Sequence, residues 1–128
     1  MRFVPLPILA TLLICGVDGQ YPPKQVQINT PYVASTPQMV DIMLELAKVT
    51  SRDTVHDLGC GDGRIVISAA KKYGARGVGI DINPARIEEA RTNARSAGVT
   101  GLVNFDVRDL FDADIRGATI VALYFRRT

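Results

Sequence analysis

At 128 residues the chain has room for one domain. A composition of 47% hydrophobic and 22% charged residues is that of an ordinary globular protein, and a net charge of +2 is too small to imply a nucleic-acid or membrane-surface partner. Two cysteines, Cys15 and Cys60, give no disulfide framework, and one histidine without a Cys/His cluster gives no metal site.

Met1-Arg2 opens an apolar run from Phe3 to Cys15, followed by small residues up to Gly19. This layout is that of a secretory signal peptide cleaved after Gly19. The run falls short of the ~20 apolar residues of a membrane span, and Pro5 and Pro7 weaken a helix. Residues 1–19 are therefore expected to be a signal peptide or an apolar N-terminal segment. The chain is exported or membrane-associated if that signal operates, and cytoplasmic otherwise. Residues 20–36, rich in Pro, Gln, Asn and Thr, form an extended lead-in.

The remaining domain, residues 37–128, begins at Thr36-Pro37, an N-cap followed by proline at the first helical position. Met39, Val40, Met43, Leu44 and Ala47 then predict a helix to about Val49, its methionines serving as core packing. Thr54–Leu58 is the first strand. A second helix runs from Ile65 to Tyr73 and stops at Gly74. Gly77–Asp81 is a flat apolar strand suited to cover on both faces. Asn83-Pro84 opens a third helix whose stripe is Ile87, Ala90, Ala94 and Ala97, ended by Gly98. Leu102–Val107 and Ala118–Phe125 are the third and fourth strands. Strands alternating with helices predict an α/β, doubly wound parallel sheet with right-handed crossovers.

Between the first strand and second helix lies Asp57-Leu58-Gly59-Cys60-Gly61-Asp62-Gly63. Strand, glycine turn and helix in that order make a nucleotide-cofactor site. Dinucleotide sites read G-x-G-x-x-G and seat a pyrophosphate on the helix N-terminus. Here the pattern is D-x-G-x-G-x-G. A carboxylate before the first glycine repels a pyrophosphate and attracts an ammonium group, which points to S-adenosyl-L-methionine. Gly59, Gly61 and Gly63 let that ligand lie against bare backbone. Cys60 counts with them as a small residue tolerated between glycines, not as a nucleophile. His56 reads as a hydrogen-bonded strand residue, Asp62 as the cap of the second helix and Arg64 as structural.

Three acids follow the ends of successive strands: Asp57, Asp81 and Asp109. In an open parallel sheet those ends form the ligand crevice. Asp57 is expected to face the ammonium group. Asp81 lies 18 residues beyond Gly63, near the ~20-residue offset at which an acid binds ribose hydroxyls. Asp109 is placed to accept from the adenine amino group while Leu110 N–H meets a ring nitrogen, with Ile82 and Leu110 sandwiching the base. The bland alternative is that each acid only caps a helix or turn.

From Pro31 to Phe125 the chain resembles the class I S-adenosylmethionine-dependent methyltransferases. Asp57–Gly63 is similar to that family's first motif, Gly79-Ile80-Asp81 to its ribose acid and Asp106–Leu110 to its adenine segment. Pro31–Pro37, Gly61–Ile67 and Ala69–Tyr73 are similar to a bacterial group. That group is related to mitochondrial lysine methyltransferases acting on the ATP synthase c-subunit and the adenine nucleotide translocase. The resemblance implies a Rossmann-like sheet and S-adenosyl-L-methionine as cofactor. It further implies that Tyr32 and Thr36 close over the cofactor, that Tyr124 contacts the substrate, and that the acceptor is an amine such as a protein lysine. No residue is identified as a general base. The family sheet has order 3-2-1-4-5-7-6, of which this chain supplies only 3-2-1-4. An S-adenosylmethionine-dependent methyltransferase, C-terminally shortened or fragmentary and with a bare fourth-strand edge, is therefore expected. The alternatives are an NAD-dependent oxidoreductase and a non-catalytic cofactor-binding fragment.

Overall fold

A computed structural model describes residues 34–123. Its elements in chain order are α1 (Pro37–Leu46), β1 (Thr54–Leu58), α2 (Arg64–Tyr73), β2 (Arg76–Asp81), α3 (Pro84–Ala97), β3 (Val103–Val107) and β4 (Ile120–Leu123), with one 3-10 turn at Leu110–Asp112 before β4. The four strands form one sheet of order β3-β2-β1-β4, and every pair is parallel. This is the α/β, doubly wound, Rossmann-like arrangement, with β1 central and its C-terminal end beside that of β2.

Capping sets the helix starts. Thr36 accepts from Met39 N at 3.2 Å and Asn83 accepts from Ala85 N at 3.0 Å, each just before a proline. Helix α1 ends at Leu46, three residues before the expected Val49. Ala47 caps it and Lys48 turns to φ 51°, so that Val49 drops into the core instead of continuing the helix. Asp53 fixes the turn that follows by accepting from Thr50 N at 2.8 Å and from the Thr119 hydroxyl at 2.8 Å. Strand β4 starts at Ile120 and not at Ala118, because Ala118 N is spent on Ile115 O in a turn. Gly63 occupies the N-cap position of α2, and Asp62 just before it supplies the side-chain bond, its Oδ1 accepting from Arg64 N at 3.3 Å.

Pairing register sorts side chains by face. Val55, Gly77 and Val103 lie side by side, as do Asp57, Gly79 and Phe105. That face is covered by α2 and α3, whose Val66, Ala69, Ile87 and Ala90 are fully buried against it. Burying one such aliphatic side chain stabilises by about 1.5–3 kcal/mol. The alanines keep the helices close to the sheet. The opposite face holds His56, Leu58, Val78, Ile80 and Asp106 around an open hollow of about 220 Å³. No helix among the described residues is long and apolar enough to cross a membrane. The expected N-terminal segment 1–19, most of the lead-in, Tyr32, Tyr124 and Phe125 lie outside the described residues.

Candidate functional site

The glycine turn is pinned to β2. Gly59 N and Cys60 N both donate to Ile80 O at 2.8 Å, and Gly61 N donates to Asp81 Oδ2 at 2.9 Å. Asn93, on α3, donates to Asp62 O at 3.0 Å from the other side. Two glycines here are bare for opposite reasons. Gly59 sits at φ 90°, and a Cβ built on it would meet nothing within 4 Å. Its exposed face is open space at the mouth of the crevice. At Gly63 (φ 81°) a Cβ would lie 2.7 Å from Phe105 Cζ, and at Gly79 2.6 Å from Phe105 Cδ1. The Phe105 ring fills the volume those two glycines vacate and props the loop from beneath.

Of the three acids, Asp57 is the most constrained. It is 2% exposed, and among the described residues no hydrogen bond reaches its carboxylate. Burial, reinforced by Asp81 and Asp62, pushes its pKa up to about 7. A buried carboxylate in that state is stabilised by any cation or N–H donor that reaches it. Asp81 stands at the loop rim, with Oδ2 on Gly61 N and Oδ1 on Asn83 N, each at 2.9 Å. An ionised carboxylate has about four acceptor positions, so two bonds do not exhaust it. Arg108 N donates to Asp81 O at 3.0 Å, which draws the segment after β3 alongside. Asp109 there caps the 3-10 turn, Oδ1 accepting from Phe111 N at 3.0 Å. Ile82 and Leu110 are half-buried next to these acids. The fold thus brings Asp57, Gly59, Gly61, Gly63, Asp81, Ile82, Asp109 and Leu110 to one end of the sheet.

Cys60 turns its side chain into the core, with Sγ 3.7 Å from Gly61 O. Burial beside Asp57 and Asp81 pushes the thiol up, so it stays neutral. His56 is a strand residue of β1, as expected, paired with Val78 and Val121 on its two sides. It is buried on the opposite face of the sheet, its ring makes no hydrogen bond among the described residues, and burial lowers its pKa against the pull of Asp114. Thr36 spends its hydroxyl on capping α1. Two supporting residues go unnoticed in the sequence, Phe105 and Asn93. Asn93 did leave a trace there: it is the lone amide beside the Ala90–Ala94 stripe. Among the described residues no group of three metal-ligating side chains converges.

Residues 57–128, more than half of the chain, match the family model described as the ANTKMT methyltransferase domain. The chain belongs to this family. A protein-lysine N-methyltransferase of Saccharolobus islandicus is 45% identical over 75% of this chain and 60% of its own length. The human lysine N-methyltransferase of the ATP synthase c-subunit is 35% identical over 66% of this chain and 36% of its own length. Among solved structures, one described as an RNA methyltransferase of Salinibacter ruber in complex with S-adenosyl-L-homocysteine superposes with a TM-score of 0.73. It is 55% identical, over 73% of this chain and 61% of its own. The chain spans at most about three fifths of each of these relatives.

Proposed function

We propose that this chain binds S-adenosyl-L-methionine at the carboxyl end of its sheet and belongs to an enzyme that methylates a protein lysine. The observation that carries the reading is Asp57, a buried carboxylate with no donor among the described residues, beside a Gly59 whose outer face is open. A ligand with a cationic amino-acid end and no phosphate suits that pair, whereas a diphosphate meets a buried acid. Asp57 takes the ammonium group, and the main chain of Gly59, Cys60, Gly61 and Gly63 lies along the ligand. Asp81 takes the ribose hydroxyls, while Asp109, Leu110 and Ile82 hold the adenine. Tyr32 and Thr36 belong to the chain entering α1 and are assigned to the cofactor's cover, with Tyr124 to the acceptor.

The cofactor supplies a methyl group already activated by the positive charge of its sulfur. The protein's share is alignment and exclusion of water. A lysine acceptor, with a free pKa of ~10.4, must lose its proton first, and a dry pocket favours the neutral amine. The Saccharolobus and human relatives support lysine as the acceptor. The Salinibacter relative is described as an RNA methyltransferase, which makes RNA the rival acceptor to be tested.

Calorimetric titration tests the cofactor. One-site binding of S-adenosyl-L-homocysteine without NAD binding is expected, and preference for NAD ends the reading. Asp81→Ala removes a charged hydrogen-bond acceptor worth about 1.5–3 kcal/mol per bond, a loss of tenfold or more in affinity. Label transferred from S-adenosyl-L-methionine to RNA but not to lysine peptides would replace the acceptor.

A further inference from the structure

Arg64 is the first residue of α2. A cation at a helix N-terminus opposes the helix dipole, so the helix itself gains nothing from it. Its guanidinium is engaged elsewhere. Nε donates to Asp62 Oδ1 at 2.9 Å, Nη2 donates to Asp62 Oδ2 at 2.5 Å, and Nη1 donates to Ser35 O at 2.5 Å. One planar group therefore grips the glycine loop with two arms and the chain 29 residues earlier with the third. The Asp62 side chain is 12% exposed and that of Arg64 35%, so the grip is partly shielded from solvent on the loop side.

Both ends of this clamp matter. Asp62 lies between Gly61 and Gly63, and its own carbonyl is fixed by Asn93. Ser35 immediately precedes Thr36, the cap of α1. Helix α1 itself is held by a narrow seam, with Val40 and Leu44 buried while Met39, Ile42 and Leu46 are exposed. Val40 and the ion pair from Lys72 of α2 to Asp41 hold the body of α1 to α2, and the bond from Arg64 to Ser35 O adds a direct tie from the start of α1 to the loop.

We infer that Arg64 is a positioning residue that joins the segment entering α1 to the glycine loop, so that a ligand on the loop also orders that segment. The inference rests on the cofactor reading above for the identity of the ligand, but the clamp stands without it. Lysine keeps the charge of Arg64 and lacks the fork, so Arg64→Lys loses at least one of the two partners.

Amide hydrogen exchange on the full chain, with and without S-adenosyl-L-homocysteine, tests the coupling alongside calorimetric affinity. In the wild type, ligand is expected to slow exchange both in the loop peptide and in the peptide covering residues 34–44. In Arg64→Lys, protection of residues 34–44 should fall by more than half while the loop stays protected, and affinity should drop about tenfold through the weakened charge-assisted bonds. Arg64→Ala should go further, with thermal unfolding as the check that it folds. A purely structural role moves the melting temperature without uncoupling the two peptides. Arg64→Lys with wild-type protection and affinity overturns the inference, whether or not Arg64→Ala folds. If the wild type fails to bind the ligand, the cofactor reading falls. The clamp is then judged on the ligand-free protein, where Arg64→Lys must speed exchange in residues 34–44 relative to α2 and α3, and equal rates overturn it.

Discussion

The two faces of the sheet are drawn from alternate residues of the same four strands, yet they follow different rules. The face under α2 and α3 holds Val55 and Phe105 at no more than 5% exposure, and next to them Gly77 and Gly79 where no side chain fits. Behind it, Val121 and Leu123 are 43% and 53% exposed, and His56 borders an open hollow. The difference teaches where the site gets its rigidity. The glycine loop is a continuation of the covered face: it rests on Phe105, hangs from Ile80 and Asp81, and is tied to α3 through Asn93. Changes on that face should propagate to the site, and changes behind it should not.

Truncating the wedge should have the largest effect. Phe105→Ala empties the space under Gly63 and Gly79 and is expected to cost about 5 kcal/mol, the upper end for Phe→Ala in a core. Equilibrium denaturation measures it. Gly79→Ala attacks the same contact from the opposite side, forcing a Cβ to 2.6 Å from the ring, and should cost about 1–3 kcal/mol. The pair sharpens the comparison, because Gly79→Ala in a Phe105→Leu background should cost clearly less than the sum. Strict additivity would mean that the ring does not support the loop.

Asp57 comes next, as the one residue of the covered face that is poorly suited to it. Its pKa rises from the ordinary 3.8 to about 7, chiefly through burial. Between those values the folded protein holds a proton that the unfolded chain has released. Stability should therefore fall as pH rises from about 4 to 7 and level off above, by up to about 4 kcal/mol at ~1.36 kcal/mol per unit. Asp57→Asn should flatten that slope and stabilise the protein at pH 8, while weakening binding of S-adenosyl-L-homocysteine. Binding to the wild type should strengthen up to pH 7, because the cation needs the ionised acid. Urea melts and calorimetry across this range decide it; a variant that loses stability at pH 8 would contradict the assignment.

What could be read from the sequence divides along the same line between local and distant causes. Thr36-Pro37, Asn83-Pro84, Gly74 and Gly98 are local signals, and each marks a helix end that the structure keeps. The C-terminus of α1 had no such signal. Ala47, Lys48 and Val49 tolerate a helix, and what stops it is Val49 entering the core beside the Asp53 turn. The acids at the strand ends were legible from spacing and strand polarity alone. The burial of Asp57 away from any donor among the described residues was not legible, nor that Phe105 fills the gap left by two glycines. Both depend on packing between segments far apart in the chain. Arg64 read as structural, and only the folded chain brings Ser35 within reach of it.

A smaller effect is expected from Asn93→Ala. It leaves Asp62 O without its amide donor at a partly buried position, a loss of about 1–2 kcal/mol. Ligand affinity should fall with it, because the loop loses its tie to α3. A stability loss with unchanged affinity would confine Asn93 to the fold.

The smallest effect tests the comparison most directly, since it needs only a step of one residue along β4. Ile120 packs against the covered core, while Val121 points to the other face and is 43% exposed. Substituting threonine keeps the β-branch and the strand propensity at both positions, so the difference isolates burial. Ile120→Thr should cost about 1–2 kcal/mol, for lost apolar contact and a hydroxyl placed against the core. Val121→Thr should stay within about 0.5 kcal/mol, as surface substitutions do. Both are measured by denaturant melts of the full chain at one pH, and comparable m-values show that the unfolded state is unchanged. Equal costs at the two positions would mean that the face behind the sheet is as closely packed as the covered one, and the site's dependence on a single face would have to be abandoned.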